Sequence, residues 1–297
     1  MKKGFSLVLV ASLCLCFFGC GDKFKTEVLG GSDVYQGGAV APNLKHYALV
    51  TENKVVIFKK GLMGNKEIQR IGIWIARDVK FVDNNTIAIL GEDEALRFYS
   101  LKGEKITTVA LPGATFIKVS PVDKIIVADK SEKDFYILAG GALKVYKTFS
   151  EKRLRGFSFS RDGIYLLGWT EDAMGILNIP ERRWIKFSNS PWIRFADWGV
   201  DYNFVTLDNQ GNIRGYNYGL SLDFTIKSTS TRTIEEKEAV SYSPDGRYLC
   251  VAGDRVIEIV SPISGEVLEA QNMGNYSITG TFWAQSGKIY SLETAYW

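Results

Sequence analysis

Short apolar and aromatic runs recur along the chain, separated by polar turn residues. In GIYLLGWTEDAMGILNIPERRWIKF, from Gly163 to Phe187, Asp, Gly, Asn or Pro cuts the pattern every six to eight residues. Within each run the apolar positions follow period two, which is typical of β-strands and not of helices. The one short helix candidate, IEEKEA at 234–239, is expected to form a charged loop. The sequence therefore predicts an all-β protein in a single domain.

A longer pattern repeats about every 40 residues. The segments GFSFSRDGIYLLGW and VSYSPDGRYLCVAG share an aromatic residue, a serine and an Asp-Gly pair before an apolar run. The clear matches are 38 to 44 residues apart, and an additional weaker match lies near Val40. The anchor positions are Ala39 or Val40, Phe81, Val119, Phe159, Trp198, Tyr242 and Trp283. Four strands of about five residues with four turns use about 40 residues, the size of one blade of a β-propeller.

The two chain ends are expected to close the ring. The last repeat contains only two strand patterns, ITGTFWA and KIYSLETAY. The segment Lys23–Leu29 can add an outer strand to them and so remove exposed sheet edges. This closure favours seven blades. If the segment near Val40 is not a first strand, the N-terminal strands complete the final blade and the count is six.

The repeats resemble those of WD-repeat and YVTN-type β-propellers, over nearly the whole chain after its N-terminal segment. The sequences SRDG and SPDG resemble the turn between the first and second strands of a blade, and Lys102-Gly103-Glu104 and Ser264-Gly265-Glu266 resemble the turn between the third and fourth. The Gly-His and Trp-Asp signatures of the strict WD family are missing. The resemblance implies a rigid propeller.

The N-terminus has the pattern of an export signal. Lys2 and Lys3 precede an uncharged apolar stretch that is too short to favour a membrane-spanning helix. The segment FFGC, ending at Cys20, resembles the lipobox of bacterial lipoproteins, in which the cysteine is acylated and becomes the new N-terminus. The alternative is ordinary signal-peptide cleavage. The expected organisation is a signal at 1–19, a tether at 20–33 and a propeller at 34–297.

Composition excludes several classes of protein. Removal of Lys2 and Lys3 leaves 34 basic and 33 acidic residues, so a nucleic-acid partner is not expected. Of the four cysteines, only Cys250 remains after export and lipidation, so no disulfide framework is expected. The 46% of hydrophobic residues suffices for one large core.

Candidate catalytic chemistry is sparse. The single histidine, His46, cannot by itself build a histidine-based metal or acid–base site, and no nucleophile elbow, phosphate-binding loop or Cys-x-x-Cys pair occurs. No catalytic residue, metal or cofactor is therefore predicted. Two alternatives stay open: a glycan or lactone hydrolase or lyase that uses carboxylates and tyrosines around the channel, and a channel that binds a small ligand or metal.

Acidic residues concentrate in the loops that join second to third strands, which emerge on one face of a propeller. The functional interpretation is a docking surface for a basic partner or a cation; the alternative is ordinary solvated turns. The predicted partner-binding residues among them are Glu92, Asp93, Glu171 and Asp172. Further acidic residues in these loops are Glu52, Glu94, Asp129, Glu132, Asp134, Asp208 and Asp254.

A second candidate surface is the outer strand in ERRWIKFSNSPWIRF. Period two places Arg182, Trp184 and Lys186 on one side, where an exposed tryptophan between basic residues has the composition of an interface anchor. The alternative is protection of an outer strand edge by positive charge together with ordinary core packing.

Together these observations predict a lipoprotein on the periplasmic side of the cell envelope, with the outer membrane favoured. Its expected function is to hold partner proteins together as a scaffold or as an accessory subunit of an envelope complex. The resemblance to propeller lipoproteins implies a role in assisting outer-membrane assembly or in supporting an envelope or respiratory complex.

Overall fold

The computed structural model describes residues 26–29, 37–61, 64–130, 133–189, 192–227, 240–253, 256–272, 276–283 and 289–295. These ranges contain strands, turns and bends but no helix, and so no helix that is long and apolar enough to cross a membrane. Residues 1–19, Cys20 and the loop at 234–239 lie outside the described residues.

Six sheets consist of four antiparallel strands that follow one another along the chain. Sheet 1 contains β2 (Gly37–Val40), β3 (His46–Val50), β4 (Lys54–Lys59) and β5 (Lys66–Gly72). Sheet 2 contains β6 (Ala76–Phe81), β7 (Thr86–Gly91), β8 (Ala95–Ser100) and β9 (Lys105–Ala110). Sheet 3 contains β10 (Ile117–Val119), β11 (Ile126–Asp129), β12 (Asp134–Ala139) and β13 (Ala142–Lys147).

The remaining four-stranded sheets continue the same order. Sheet 4 contains β14 (Gly156–Phe159), β15 (Tyr165–Trp169), β16 (Ala173–Asn178) and β17 (Arg183–Asn189). Sheet 5 contains β18 (Ile193–Trp198), β19 (Phe204–Asp208), β20 (Asn212–Tyr216) and β21 (Leu222–Lys227). Sheet 6 contains β22 (Val240–Tyr242), β23 (Leu249–Ala252), β24 (Val256–Val260) and β25 (Val267–Asn272).

Sheet 7 joins the two ends of the chain. It contains β26 (Tyr276–Trp283), β27 (Ile289–Ala295) and, at its edge, the N-terminal strand β1 (Thr26–Leu29). Strand β1 runs parallel to β27, with Thr26 opposite Ile289 and Leu29 opposite Leu292. The predicted closure by the segment Lys23–Leu29 is confirmed for the strand Thr26–Leu29, and the parallel direction was not predicted.

The first strands of the sheets lie side by side around a ring. Each first strand contacts the first strand of the next sheet, and β26 contacts both β22 and β2, so the circle is complete. This is a β-propeller, consistent with the WD-repeat and YVTN-like architecture. Six blades have four strands, and the three-stranded sheet 7 occupies the remaining position, so the favoured count of seven includes it. The condition that would reduce the count to six is not met, because Gly37–Val40 is a first strand.

The core lies between neighbouring sheets and not in one central mass. Phe135 and Ile137 of sheet 3, for example, pack with Phe157 and Leu166 of sheet 4. Second and third strands are therefore covered on both faces, which explains their nearly continuous apolar runs. Cys250, which is fully buried on β23, is covered in the same way and packs with Ile289 of sheet 7.

Candidate functional site

The propeller has two faces, which are formed by different sets of turns and loops. We call turn face the side formed by the turns between first and second strands and between third and fourth strands of a sheet. We call loop face the opposite side, formed by the loops between second and third strands and by the loops that lead from one sheet to the next. The predicted positions of both kinds of turn, and of the acidic loops, are confirmed for the described strands.

The Asp-Gly turns of the turn face are built by local hydrogen bonds. In the first of them, the Ser160 hydroxyl donates to Asp162 at 2.6 Å and accepts from the Tyr165 backbone N–H at 2.9 Å. Gly163 has a φ of +72°, a conformation that a side chain would strain. Ser243 and Asp245 repeat the arrangement, with the same 2.6 Å hydrogen bond. These motifs therefore have a structural role in shaping the turns.

Side chains of the turn face also connect different sheets. Tyr202 donates to Asp162 at 2.6 Å, and Lys124 pairs with Asp83 at 2.5 Å. Arg161 donates to the Ser243 carbonyl oxygen at 2.7 Å, although the two residues belong to sheets 4 and 6. The polar groups of this face are thus used to hold the ring together.

The first strands carry charged side chains that also take part in contacts between neighbouring sheets. The Asp78 carboxylate accepts from the Ile117 backbone N–H at 2.9 Å and pairs with Lys80 at 3.1 Å. Asp197 accepts from the Ser158 hydroxyl at 2.9 Å. The hydrogen bond between Asp78 and Ile117 links β6 to β10, and the one between Asp197 and Ser158 links β18 to β14. Both therefore join neighbouring sheets. They give the two carboxylates a role in ring cohesion.

On the loop face, basic residues neutralise most of the predicted acidic rim. Arg97 forms a two-pronged ion pair with Asp93. Arg155 pairs with Glu171 at 3.2 Å. Hydrogen bonding by Arg97 lowers the pKa of Asp93 below its usual value, so this carboxylate stays ionised and paired.

Asp172 is also paired, because Lys152 lies 2.8 Å from its carboxylate. Hydrogen bonding by Lys152 lowers the pKa of Asp172. Glu92 is exposed. The rim therefore consists mainly of ion pairs, and Glu52 and Glu92 are exposed members of it.

Two members of the rim are buried, contrary to the expectation of a solvated surface. Asp129 is 1% exposed and accepts hydrogen bonds from the backbone N–H groups of Thr115 and Phe116 at 2.7 and 3.0 Å. Arg153 donates to the same carboxylate at 3.0 Å from the next sheet-connecting loop. Asp208 is 4% exposed. Both carboxylates organise loops, while Glu132 and Asp254 lie outside the described residues.

The outer strand β17 does not present the side that its sequence predicts. Trp184 is half-buried, donates to the Lys147 carbonyl oxygen at 2.9 Å and packs edge-on against Phe149 of the preceding loop. Lys186 reaches the following sheet, where its Nζ donates to the Tyr218 carbonyl oxygen at 2.8 Å.

The two side chains therefore lie on opposite faces of sheet 4. The cause is a β-bulge: Lys186 is opposite Ile176 and Trp184 is opposite Leu177, which leaves Ile185 as the extra residue. Arg182 is exposed in the turn before the strand and has a φ of +56°. The expectation of one shared outward side is wrong, and partner binding by these three residues stays a prediction.

A depression on the loop face, between sheets 4 and 5, is a candidate site. It has a volume of about 270 Å³ and is lined by Arg155, Glu171, Trp192, Ile193, Arg194 and Asn209. Trp192 is 52% exposed and has a φ of +43°. A bulky residue in that conformation costs about 1–3 kcal/mol, so the surrounding structure must hold it there. The Asn209 backbone N–H does so in part, donating to the Trp192 carbonyl oxygen at 3.3 Å.

Sequence reasoning found Glu171 but missed Trp192 as a site residue. The available signal was the position of Trp192 directly before a first strand, where a sheet-connecting loop ends. Its exposure depends on the left-handed backbone conformation, which no local sequence rule predicts for tryptophan. The depression is smaller than the roughly 300–1,000 Å³ of typical small-molecule pockets. An aromatic and arginine surface of this size fits the side chains of a protein partner better.

Other candidate chemistry is not assembled in the described residues. His46 lies on β3 opposite Lys59, and burial together with the charges of Lys59 and Lys45 lowers its pKa, so it is neutral at pH 7. Within the described ranges, no three His, Cys, Asp or Glu side chains are grouped so that they could hold a metal ion. A scan against models of known protein families finds no match, and a search of curated proteins finds no similar sequence.

Proposed function

We propose that this chain is a lipid-anchored protein of the bacterial cell envelope that binds partner proteins through the loop face of its propeller. The anchor is Cys20, on the periplasmic side, and the outer membrane is the favoured location. The observation that carries the docking role is the exposed Trp192, which lines a depression together with Arg155 and Arg194. Exposed tryptophan and arginine on a rigid scaffold are the residues that most often dominate protein interfaces.

Rigidity supports this proposal. Inter-sheet contacts such as the one between Arg161 and Ser243 fix the ring, so a partner that binds the loops meets a preorganised surface. The anchor is supported by the basic and apolar N-terminus and by the small residue Gly19 before Cys20. Acylation with two or more chains gives stable membrane attachment without any other membrane-binding feature.

Affinity purification tests the docking role. The full-length chain would be recovered from detergent-solubilised envelopes beside a Trp192→Ala variant, with Ile263→Ala as the matched control. Ile263 is 94% exposed but lies in a turn on the turn face. We expect a stoichiometric partner that Trp192→Ala loses by about tenfold or more, since hot-spot truncations cost at least about 2 kcal/mol. Equal recovery by the Trp192→Ala variant contradicts the proposal.

A separate experiment tests the outer-strand candidates. Arg182→Ala is the informative variant, because Arg182 is exposed and its loss should leave the fold intact. Trp184→Ala removes inter-sheet packing as well, so its effect on binding must be compared with its effect on stability. If Arg182→Ala loses the partner and Trp192→Ala retains it, the docking surface lies at the outer edge of sheet 4 and not on the loop face.

The anchor is tested by mass spectrometry of the mature N-terminus. The expected species begins at an acylated Cys20, and Cys20→Ser is expected to release the propeller into the soluble periplasmic fraction. A mature chain that begins elsewhere and carries no lipid contradicts the anchor while leaving the docking role intact.

A further inference from the structure

A second exposed tryptophan lies on the loop face, in another segment that joins two neighbouring sheets. Trp74 is 80% exposed and lies between sheets 1 and 2, next to Ile75, which has a φ of +44°. The Glu92 backbone N–H donates to the Ile75 carbonyl oxygen at 2.9 Å, just as Asn209 donates to the Trp192 carbonyl oxygen. In both loops a bulky residue is held in the left-handed region and a tryptophan is presented to solvent.

The surroundings of the two tryptophans carry opposite charge. Two loops between second and third strands form hydrogen bonds with the residues on either side of Trp74. These loops contain the exposed residues Glu52 and Glu92. Beside Trp192, Arg155 is paired with Glu171 in the same depression, so the positive charge of this end comes from the exposed Arg194. The loop face therefore has an acidic end and a basic end, each with an aromatic anchor. This distribution disfavours an anionic lipid surface as the occupant, since the acidic end would be repelled.

The direction of β1 separates the loop face from the membrane anchor. Second strands run from the turn face to the loop face, and β1 is parallel to β27, the second strand of sheet 7. Thr26 therefore lies at the turn-face end of the sheet. Cys20 is six residues before Thr26, a reach of at most about 20 Å. A chain anchored at Cys20 thus enters the propeller from its turn face.

We infer that the loop face points away from the anchoring membrane and docks a water-soluble protein through Trp74 and Trp192 together. This inference rests on the proposed function and adds the partner's chemistry to it. The partner places a basic group against the Glu92 end and a carboxylate against the Arg194 end. Each tryptophan fills an apolar recess in the partner.

Site-specific photocrosslinking in cells that produce the full-length chain tests the inference. A photoreactive benzophenone amino acid would replace Trp74 in one variant, Trp192 in a second and Ile263, on the turn face, in a control. We expect one and the same protein to be crosslinked from positions 74 and 192, and not from position 263. Arg194→Glu is expected to reduce the adduct from position 192 at least tenfold, whereas Arg194→Lys keeps it.

Four results overturn the inference: a phospholipid adduct at position 74 or 192, no adduct at either, unrelated proteins at the two positions, or the same adduct from position 263. Its failure is distinguishable from failure of the proposed function. A partner crosslinked only from the turn face leaves the lipid-anchored scaffold intact but removes the loop face as its docking surface. An unlipidated Cys20 with the expected adducts removes the anchor and leaves the two-tryptophan surface in place.

Discussion

Single buried carboxylates organise the loop face at the residue scale. Asp129 receives hydrogen bonds from two backbone N–H groups and from Arg153, so it joins the loop that enters sheet 3 to the loop that leaves it. A buried charge of this kind stabilises a structure only while its partners are present. The same residue type in the exposed pair of Asp172 and Lys152 contributes little, because water screens the pair.

We predict that Asp129→Ala destabilises the protein by about 3–5 kcal/mol, because it leaves Arg153 and two backbone donors without their acceptor. Asp172→Ala is the matched control and should change stability little, because water screens its ion pair. Unfolding in urea, followed by tryptophan fluorescence, measures both. Similar losses of stability in the two variants would show that Asp129 has no special role.

Asp208 gives the protein a dependence on pH. Burial raises the pKa of Asp208, but hydrogen bonds from Asn212, Arg214 and the Gln210 backbone outweigh it, and the pKa lies below its ordinary value of 3.8. A carboxyl whose pKa is lowered by folding contributes stability above its unfolded pKa and loses it as the pH falls through the folded value.

The stability of the wild type should therefore fall as the pH is lowered through 3.8 and below. Asp208→Asn cannot titrate, so we expect a variant that is less stable at pH 7 and loses less stability on acidification. Thermal unfolding at pH 7, 5 and about 3 measures the difference. A variant with the same acid sensitivity as the wild type would contradict this assignment.

At the scale of the strand, the absence of a side chain at a glycine allows an aromatic ring of the neighbouring strand to pack against the backbone. Gly156 begins β14 and is opposite Trp169 on β15. A Cβ at position 156 would lie 2.0 Å from Cζ2 of that indole, whereas a Cβ at Gly37, which begins β2, meets nothing within 4 Å. The indole also packs edge-on against Phe195 of sheet 5, so it has little room to move.

We predict that Gly156→Ala destabilises the protein by about 1–3 kcal/mol, the usual cost of overpacking a close-packed site. Gly37→Ala, at the corresponding position of another first strand, should change stability by about 0.5 kcal/mol or less. Denaturant unfolding of the two variants tests the pair. Equal stabilities of the two variants would mean that the Trp169 indole can move away from position 156 without loss of stability.

Sequence patterns predicted the features that depend on local chemistry. The turns at Ser160 and Ser243 could be located because serine, aspartate and glycine make their hydrogen bonds within a few residues. The sides of β17 could not be predicted, since the bulge at Ile185 arises from how that strand pairs with β16. Likewise, the ion pair of Asp172 with Lys152 depends on two loops that only the fold brings together.

At the scale of the whole molecule, closure of the ring depends on one short strand. Four residues of β1 pair with β27 and so connect the start of the described chain to its end. The apolar pattern predicted that such a strand closes the ring. Its direction could not be predicted, because a four-residue strand has the same alternation in either direction. That direction places Thr26, at the start of the described chain, at the turn face.

The direction of β1 can be measured by pairing engineered cysteines under mild oxidation in the full-length chain. Thr26→Cys with Ile289→Cys joins opposite residues of the parallel pair, whereas Leu292 is opposite Leu29. A partner three residues further along the strand is about 10 Å away, beyond the roughly 7 Å that a disulfide can bridge. We predict that the 26–289 pair forms an intramolecular disulfide and that Thr26→Cys with Leu292→Cys does not. The reverse result would show an antiparallel strand, and no disulfide in either variant would show that the chain ends do not close the ring.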